Sequence, residues 1–288
     1  MERAGHAARD RAPPARAGVS RRAVAGVVRR RRRRGARTAA RRDRGRRSRC
    51  ACNKIRAGAG GAVRLSVIVP VYNEAARLPA ALAALAAQPG IDEVIVVDGD
   101  SDDGSADLAR AAGATLVRAP RGRGTQLNAG AAAASGDVLL FLHADVDLPA
   151  GAAAIVARAL ADPRVVAGAF RTWTVVHRRR WLAPLVHIAD VRSRVSRAPY
   201  GDQAVFVRAG AFWAAGGFPD VPLMEDIALA RALRRIGRIR IVPHRVRVSG
   251  RRFEAGLVRA TVAMNTFPLL FRLGVPPHVL ARLYGAPR

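Results

Sequence analysis

Lysine is almost missing from this 288-residue chain: Lys54 is the one lysine among 50 basic side chains. So one-sided a use of arginine, in a chain crowded with alanine, reads first as the imprint of a biased genome. Cysteine is nearly missing too. Cys50 and Cys52, the two present, supply half of the four ligands a structural zinc needs, so neither a zinc site nor a disulfide framework rests on them. They leave the compartment reducing or undetermined. No stretch approaches 18 apolar residues without a charge, which excludes the pattern of a membrane-spanning helix. The one leader-like stretch, AVAGVV after Arg21 and Arg22, is too short and runs straight into six arginines. Aromatic residues make up 5% of the chain, and none stands among the arginines of its N-terminal part, so no platform for base stacking is present there.

What is present divides unevenly. Residues 1–64 carry 21 arginines and Lys54 against Glu2, Asp10 and Asp43, and so supply +19 of the formal +29. This arm has no hydrophobic periodicity and ends in the glycine-rich RAGAGGA, the composition of a disordered segment. A nucleic-acid reading of it rests on charge alone, because no recognition helix accompanies the arginines. From Leu65 onward the chain is patterned, and with half of all residues hydrophobic it can bury a sizeable core. The division expected is an arm over 1–64, an α/β domain over 65–243 and a helical C-terminal segment over 244–288.

The patterned part alternates strand and helix signals. LSVIV (65–69), EVIVV (93–97), ATLVR (114–118) and DVLLFL (137–142) read as strands. Between them fall LPAALAALAAQ, with leucines at 78, 82 and 85 on one helical face, a helix after Gly104, and the small-residue QLNAGAAAA. Strands that are continuous apolar runs are buried on both faces, which predicts a mostly parallel central sheet with helices on each side. Farther on, VVAGAFRTW, QAVFVR and IRIV read as strands, and EDIALARALRRIG as a helix with Leu229, Leu233 and Ile236 on one face. The tail from Glu254 to Tyr284 reads as two helices broken around Pro276 and Pro277. Its TFPLLFRLGV is apolar enough either to pack on the domain or to touch a membrane interface.

Polar residues gather where such folds bind ligands, beyond the carboxyl ends of the strands: PVYNE after the first, DGDSDDGS after the second, HADVD after the fourth. Asp98, Asp100 and Asp102 imitate the opening of a calcium loop. The imitation ends there, since loop position six is Asp103 rather than glycine, position twelve is Ala109 rather than glutamate, and a strand precedes the loop. GRGTQL (122–127), with Asp145 about twenty residues on, has the spacing of a dinucleotide site, but Leu127 takes the place of its third glycine and the first strand has no glycine-rich turn.

As an ordered set, SVIVPVYNE, VIVVDGDSDDGS, GDVLLFLHADVDLP and MEDIALARALRRIG resemble the motifs of the family 2 glycosyltransferases, over about Leu65 to Ile241. FLHAD, GDQAVFVR and GGFPD are further similar to a bacterial subgroup that includes carotenoid-acid (diaponeurosporenoate-type) glucosyltransferases. The resemblance implies the GT-A fold and a nucleotide-diphospho-sugar donor, a UDP-sugar before others. It implies that Pro70, Tyr72 and Glu74 line the base and ribose pocket, that Asp98 accepts from the pyrimidine ring N–H, and that Arg123 lies in a loop able to approach the pyrophosphate. A surface arginine is the competing account of Arg123.

The metal motif of the family, Asp-x-Asp, reads HAD in this chain. His143 stands in place of the first carboxylate and Asp145 in place of the second, while Asp147 offers another carboxylate two residues on. Oxygen ligands and a diphosphate suit Mg2+ or Mn2+; His143 is either a ligand or a structural residue. Asp226 falls where the family places its catalytic base, a carboxylate able to take the proton of an acceptor hydroxyl. Its alternative role is that of an acid favouring a helix N-terminus. Asp202 and Gln203 are candidates for the acceptor side, and Arg251 and Arg252 for diphosphate contacts. The expectation is an inverting, metal-dependent hexosyltransferase acting on a lipid or small-molecule acceptor, in the cytoplasm or peripherally at the inner face of the cell membrane. The competing classes are an inactive nucleotide-sugar binder and a nucleic-acid binder acting through the arm.

Overall fold

The computed structural model describes residues 63–176, 186–187, 190 and 199–284. Of the arm expected over 1–64, all but the last two residues lie outside the described residues, and so does His177. An eight-stranded sheet is ordered β3-β2-β1-β4-β7-β6-β8-β5. Its strands are β1 (Leu65–Val71), β2 (Glu93–Asp98), β3 (Thr115–Arg118), β4 (Val138–Phe141), β5 (Val146–Asp147), β6 (Val165–Val175), β7 (Val205–Arg208) and β8 (Arg238–Ser249). The first four run parallel, as their apolar runs predict. Strand β7 lies antiparallel between β4 and β6, β8 pairs parallel with β6, and β5 antiparallel with β8. The reversal at β7 restores the original direction in β6 and β8, so β1 to β4, β6 and β8 all end at one edge of the sheet.

Helices cover both faces because β1 alternates its burial. Val67, Val69 and Val71 join Leu140 and Phe170 in one core with Leu78, Leu82 and Leu85 of α1 (Leu78–Ala86) and Ile155 and Val156 of α4 (Ala152–Ala159). Ile68 faces the other way, into a core shared with Leu127 of α3 (Arg123–Ala133), Phe212 of α5 (Ala209–Ala214) and Leu229 and Leu233 of α6 (Glu225–Ile236). Each such fully buried leucine contributes roughly 1.5–3 kcal/mol. A small helix, α2 (Ser105–Ala111), completes the β2–β3 crossover. The small residues of α3 let it sit close on the sheet: a Cβ at Gly130 would stand 2.4 Å from the Ile68 side chain and 2.8 Å from that of Val97.

Three elements differ from the sequence reading. The expected IRIV strand is the first part of a twelve-residue β8, which crosses the boundary drawn at 243 and delays the helical segment to Arg251. Its outer half alternates arginine or histidine with valine, an exposed-face pattern that conceals a strand. Helix α4 and strand β5 occupy a stretch in which the sequence reading named no element. Ile236, expected on the buried face of α6, is 37% exposed in the last turn, whereas Leu229 and Leu233 are buried. Beyond β8 come α7 (Arg251–Ala255), α8 (Leu257–Arg272) and α9 (Pro277–Tyr284), the last two separated at the expected prolines. Phe267 and Leu280 pack against Leu223 and Met224, just ahead of α6, while Val262, Leu269, Leu273 and Leu283 face outward. Among the described residues no helix is long and apolar enough to cross a membrane.

Candidate active site

At the shared strand edge, the loops after β1 and β2 are laced together. The Asn73 N–H donates to Ser101 Oγ (3.0 Å), the Asp102 N–H to Asn73 Oδ1 (3.0 Å), and the Glu74 N–H to Ser105 Oγ (3.0 Å). Asp103 accepts from the Ala75 N–H (2.8 Å) and from the Ser105 N–H and hydroxyl (3.0 and 2.6 Å). Burial pushes its carboxyl up, but these donors together outweigh that and leave it below the usual range. Asp103 therefore shapes the turn into α2, with Gly104 at φ 84° completing it. Asp98, 2% exposed at the end of β2, receives the Ser101 N–H at 3.3 Å. Asp100 and Asp102 are exposed. Beneath the loops Gln126, 5% exposed, donates to Val71 O (2.9 Å) and Val97 O (3.0 Å) and so clamps the ends of β1 and β2. Pro70 is half-buried on β1, and the half-buried ring of Tyr72 carries the Arg121 guanidinium 3.9 Å from its centroid.

Across the crevice the charged side chains hold one another. Arg251, which opens α7 after β8, reaches Glu74 through two nitrogens (2.7 and 3.3 Å) and Asp145 through one of them (3.2 Å). Burial alone would lower its pKa, yet the two carboxylates raise it. Asp145 is fixed from behind, since its carbonyl accepts the Ser249 N–H (3.0 Å). Asp147 is exposed on β5, in register with Arg247 of β8. His143 packs on the other side of its motif: a Cβ at Gly201 would stand 2.9 Å from His143 Nε2 and 3.9 Å from Asp226 Oδ2.

Asp226 lies in the first turn of α6, lining a cleft with Arg123, His143, Gly201 and apolar residues that include Leu127, Phe141 and Leu229. It accepts the Gly201 N–H at 2.8 Å and the Ile227 N–H at 2.7 Å. Burial, and then the neighbouring Glu225, push its pKa from the ordinary 3.8 up to about 7, against the lowering influence of those N–H groups and of Arg123. The site makes the ionised form of Asp226 costly. Arg123 is held by the buried Glu225 at 3.1 Å, which aims it at the base side of the cleft.

The backbone carries strain at the same places. Among the described residues the non-glycine residues at positive φ are Asn73 (53°), Asp100 (62°), Ala204 (46°) and Met224 (70°), in the loops after β1 and β2, beside Gly201 and directly before Glu225. Such conformations cost energy and collect at functional sites.

Gln203 is 1% exposed and spends its side chain inside the fold, donating to Phe170 O (2.8 Å) and accepting from the Tyr200 N–H (2.9 Å). It shapes the turn that presents Gly201. Asp202 is half-buried in the same turn. The side chain of Arg252 lies outside the described residues. Sequence reading missed Gln126, Arg121 and the Glu225 partner of Arg123. Gln126 alone left a signal, a long polar side chain in a helix of otherwise small residues.

The residues present suit a divalent cation when a diphosphate supplies further oxygens. Asp145 is a 10% exposed carboxylate in the loop after β4, and a magnesium-like ion commonly takes one or two carboxylates together with substrate phosphates. Among the described residues no three His, Cys, Asp or Glu side chains converge into a cage without such help.

Comparison with known proteins places these features in a family. The family model described as glycosyl transferase family 2 matches residues 66–215. The 4,4'-diaponeurosporenoate glycosyltransferase of Staphylococcus haemolyticus is 37% identical over 92 residues, 29% of this chain and 24% of the relative. The undecaprenyl-phosphate 4-deoxy-4-formamido-L-arabinose transferase of Aeromonas hydrophila is 37% identical over 99 residues, 30% of either chain. The chain thus spans less than a third of the length of these relatives. Among solved structures, the mannosyltransferase PcManGT of Pyrobaculum calidifontis, in complex with GDP-Man and Mn2+, superposes with a TM-score of 0.57 at 24% identity, covering 78% of this chain and 69% of its own. S. aureus TarS 1-349, in complex with UDP-GlcNAc, gives 0.51 at 17% identity, covering 65% and 58%. Both likenesses establish the α/β fold of nucleotide-sugar glycosyltransferases.

Proposed function

The chain belongs to glycosyl transferase family 2, and from that premise we propose that it transfers a hexose, with inversion, from a nucleotide-diphosphate donor to a lipid acceptor. The observation that carries the reading is Asp226, a carboxylate at the head of α6 whose pKa is pushed up to about 7 beside the cleft where the strand ends converge. A base poised near neutrality is what the reaction requires. The acceptor oxygen forms its bond to the anomeric carbon while the bond from that carbon to the diphosphate oxygen breaks. From a hydroxyl acceptor the proton passes to Asp226, whereas a carboxylate or phosphate acceptor is already ionised and Asp226 then orients it; in either case the electron pair of the broken bond leaves with the nucleoside diphosphate.

The remaining residues take roles by position. Asp98 faces the pyrimidine ring N–H, Tyr72 and Pro70 border the base, and Glu74 borders the ribose. Arg251 lies toward the diphosphate, and Arg123 toward the sugar side of the base. Asp145 would hold a Mg2+ or Mn2+ ion, with Asp147 and His143 as further candidates; bound there, the cation supplies neutralisation of charge on the departing diphosphate. A UDP-sugar is the favoured donor because a carboxylate at Asp98 complements a pyrimidine N–H. The lipid acceptor is supported by the names of two relatives and by the tail. Beyond Glu254 the chain has no acidic residue, and α8 and α9 turn Val262, Leu269, Leu273 and Leu283 outward, a composition suited to an anionic membrane surface.

The test is a thermal-shift screen of UDP-, GDP- and dTDP-sugars with and without Mn2+, followed by transfer assays with polyprenyl-phosphate and carotenoid-acid acceptors. A donor that raises Tm and is consumed only with intact Asp226 supports the reading. Binding without turnover in the presence of every acceptor would leave a nucleotide-sugar binder. Full turnover by Asp226→Asn would remove the mechanism.

A further inference from the structure

Arg251 joins two carboxylates that the proposed donor site uses for different purposes, Glu74 on the nucleotide side and Asp145 on the cation side. We infer that Arg251 is an internal counter-ion that makes the divalent cation and the nucleoside diphosphate bind together and disfavours either alone. The inference rests on the donor-site reading above and assigns one side chain the coupling within it.

The argument is one of charge and geometry. Glu74, Arg251 and Asp145 together carry one net negative charge, and all three are partly screened from water, with side-chain exposures of 19%, 38% and 10%. In such a place charges interact more strongly than in bulk water. A divalent cation arriving alone at Asp145 meets a guanidinium already on the same oxygen atom and must displace it. A diphosphate arriving alone meets two carboxylates with a single cation between them, and the mismatch is again unfavourable. When both arrive, the cation takes Asp145 and the diphosphate supplies new acceptors for the displaced N–H groups of Arg251. The two-nitrogen contact with Glu74 keeps the guanidinium at hand during this exchange, since a forked pair holds orientation as well as charge.

The backbone around Arg251 is built to hold it there. The Gly250 N–H donates to Val175 O at 2.7 Å, and a Cβ on Gly250 would stand 2.8 Å from the same oxygen, so the turn from β8 into α7 sits directly on the end of β6. The Ser249 N–H binds the carbonyl of Asp145 itself. Arg251 and Asp145 are therefore held in mutual register, whereas Glu74 approaches from a loop 177 residues away in sequence.

The experiment is isothermal titration of the full chain with Mn2+ alone, with UDP alone, and with UDP at saturating Mn2+. For the unmodified chain, UDP binding should tighten by about tenfold or more when Mn2+ is present, within the usual range of coupling between sites. In Arg251→Gln, Mn2+ alone should bind about fivefold tighter, and the coupling should fall to about twofold or less. Arg251→Lys keeps the charge without the fork: it should still exclude lone Mn2+ and show intermediate coupling. Circular dichroism melts verify that each variant is folded, and if Arg251→Gln is not, Arg251→Lys decides the matter alone. Unchanged coupling in the folded variants overturns the inference while leaving the donor reading intact. Failure of the unmodified chain to bind UDP, GDP or dTDP even with Mn2+ defeats the donor reading itself.

Discussion

The two walls of the crevice satisfy their carboxylates in opposite ways. On the β1–β2 side Asp98 and Asp103 accept N–H and hydroxyl groups from the interlaced loops after β1 and β2, so their place is fixed within that wall, from which Glu74 reaches out to Arg251. On the β4–α6–β8 side Asp145 leans on Arg251, Glu225 on Arg123, and Asp226 is crowded by Glu225 and burial. That wall is held by charges whose partners can be exchanged. A glycosyltransfer site needs both kinds: a fixed frame that recognises the nucleotide, and a tense one that a diphosphate, a cation and a proton can relax.

The sharpest break of the contrast comes at Asp226. Asp226→Asn should lower kcat by about a thousandfold, the range of a lost general base, while making the protein more stable at alkaline pH. The sign follows from the raised pKa: the ionised carboxylate opposes folding, so the penalty is absent below about pH 4, grows as pH rises from 3.8 to about 7, and is constant above. Melting curves should show a higher Tm for the variant at pH 8 and no difference near pH 4. In the unmodified protein kcat/KM should rise with pH to a plateau above about 7.

Next in size, Asp145→Ala should cost roughly a hundredfold in Mn2+-supported turnover, because charge stabilisation by a cation is worth several kcal/mol. Titration with Mn2+ at fixed donor should show no saturation at concentrations that saturate the unmodified enzyme. Asp98→Asn on the β1–β2 wall is expected to raise KM for a UDP-sugar about tenfold with kcat retained, the loss of one hydrogen bond to a charged group. Gln126→Leu removes two hydrogen bonds, to Val71 O, which keeps the Gly99 N–H, and to Val97 O, and should destabilise by about 1–3 kcal/mol in urea denaturation, without shifting the pH profile. Smallest of all, Asp100→Ser is expected to stay within about 0.5 kcal/mol in the same measurement, since that side chain is exposed.

The β1–β2 wall was the more legible in sequence. Strands β1, β2 and β4 announce themselves as apolar runs, and the polar clusters that follow them fall at the crevice because parallel strands end together. The turn-shaping place of Asp103 before α2 is legible from its position, and Asp98 falls at the end of β2 as expected. The tense wall depends on contacts between residues far apart, which local pattern does not carry: Arg251 with Glu74 and Asp145, Arg123 with Glu225. Gln203 is polar beside a strand, and local pattern does not tell that its side chain reaches inward to Phe170. The extent of β8 was hidden for a related reason, its arginines being a solvent-facing alternation rather than a break. Met224 and Ala204, in left-handed conformations at φ 70° and 46°, were beyond sequence reading, because nothing about either residue type favours that region.

The reach of Arg251 back to Glu74 also sets an order of events for the growing chain. The parallel core β1 to β4 is finished by Phe141 and can begin to assemble early, since its contacts are comparatively local. The ion pair that closes the crevice spans 177 residues and forms only after β8 has been laid beside β6 and has turned at Gly250. A ribosome-bound chain halted before residue 251 would hold a nearly complete sheet with an unclosed site. On the donor-site reading proposed above, the crevice closes late in folding, once β8 has turned at Gly250.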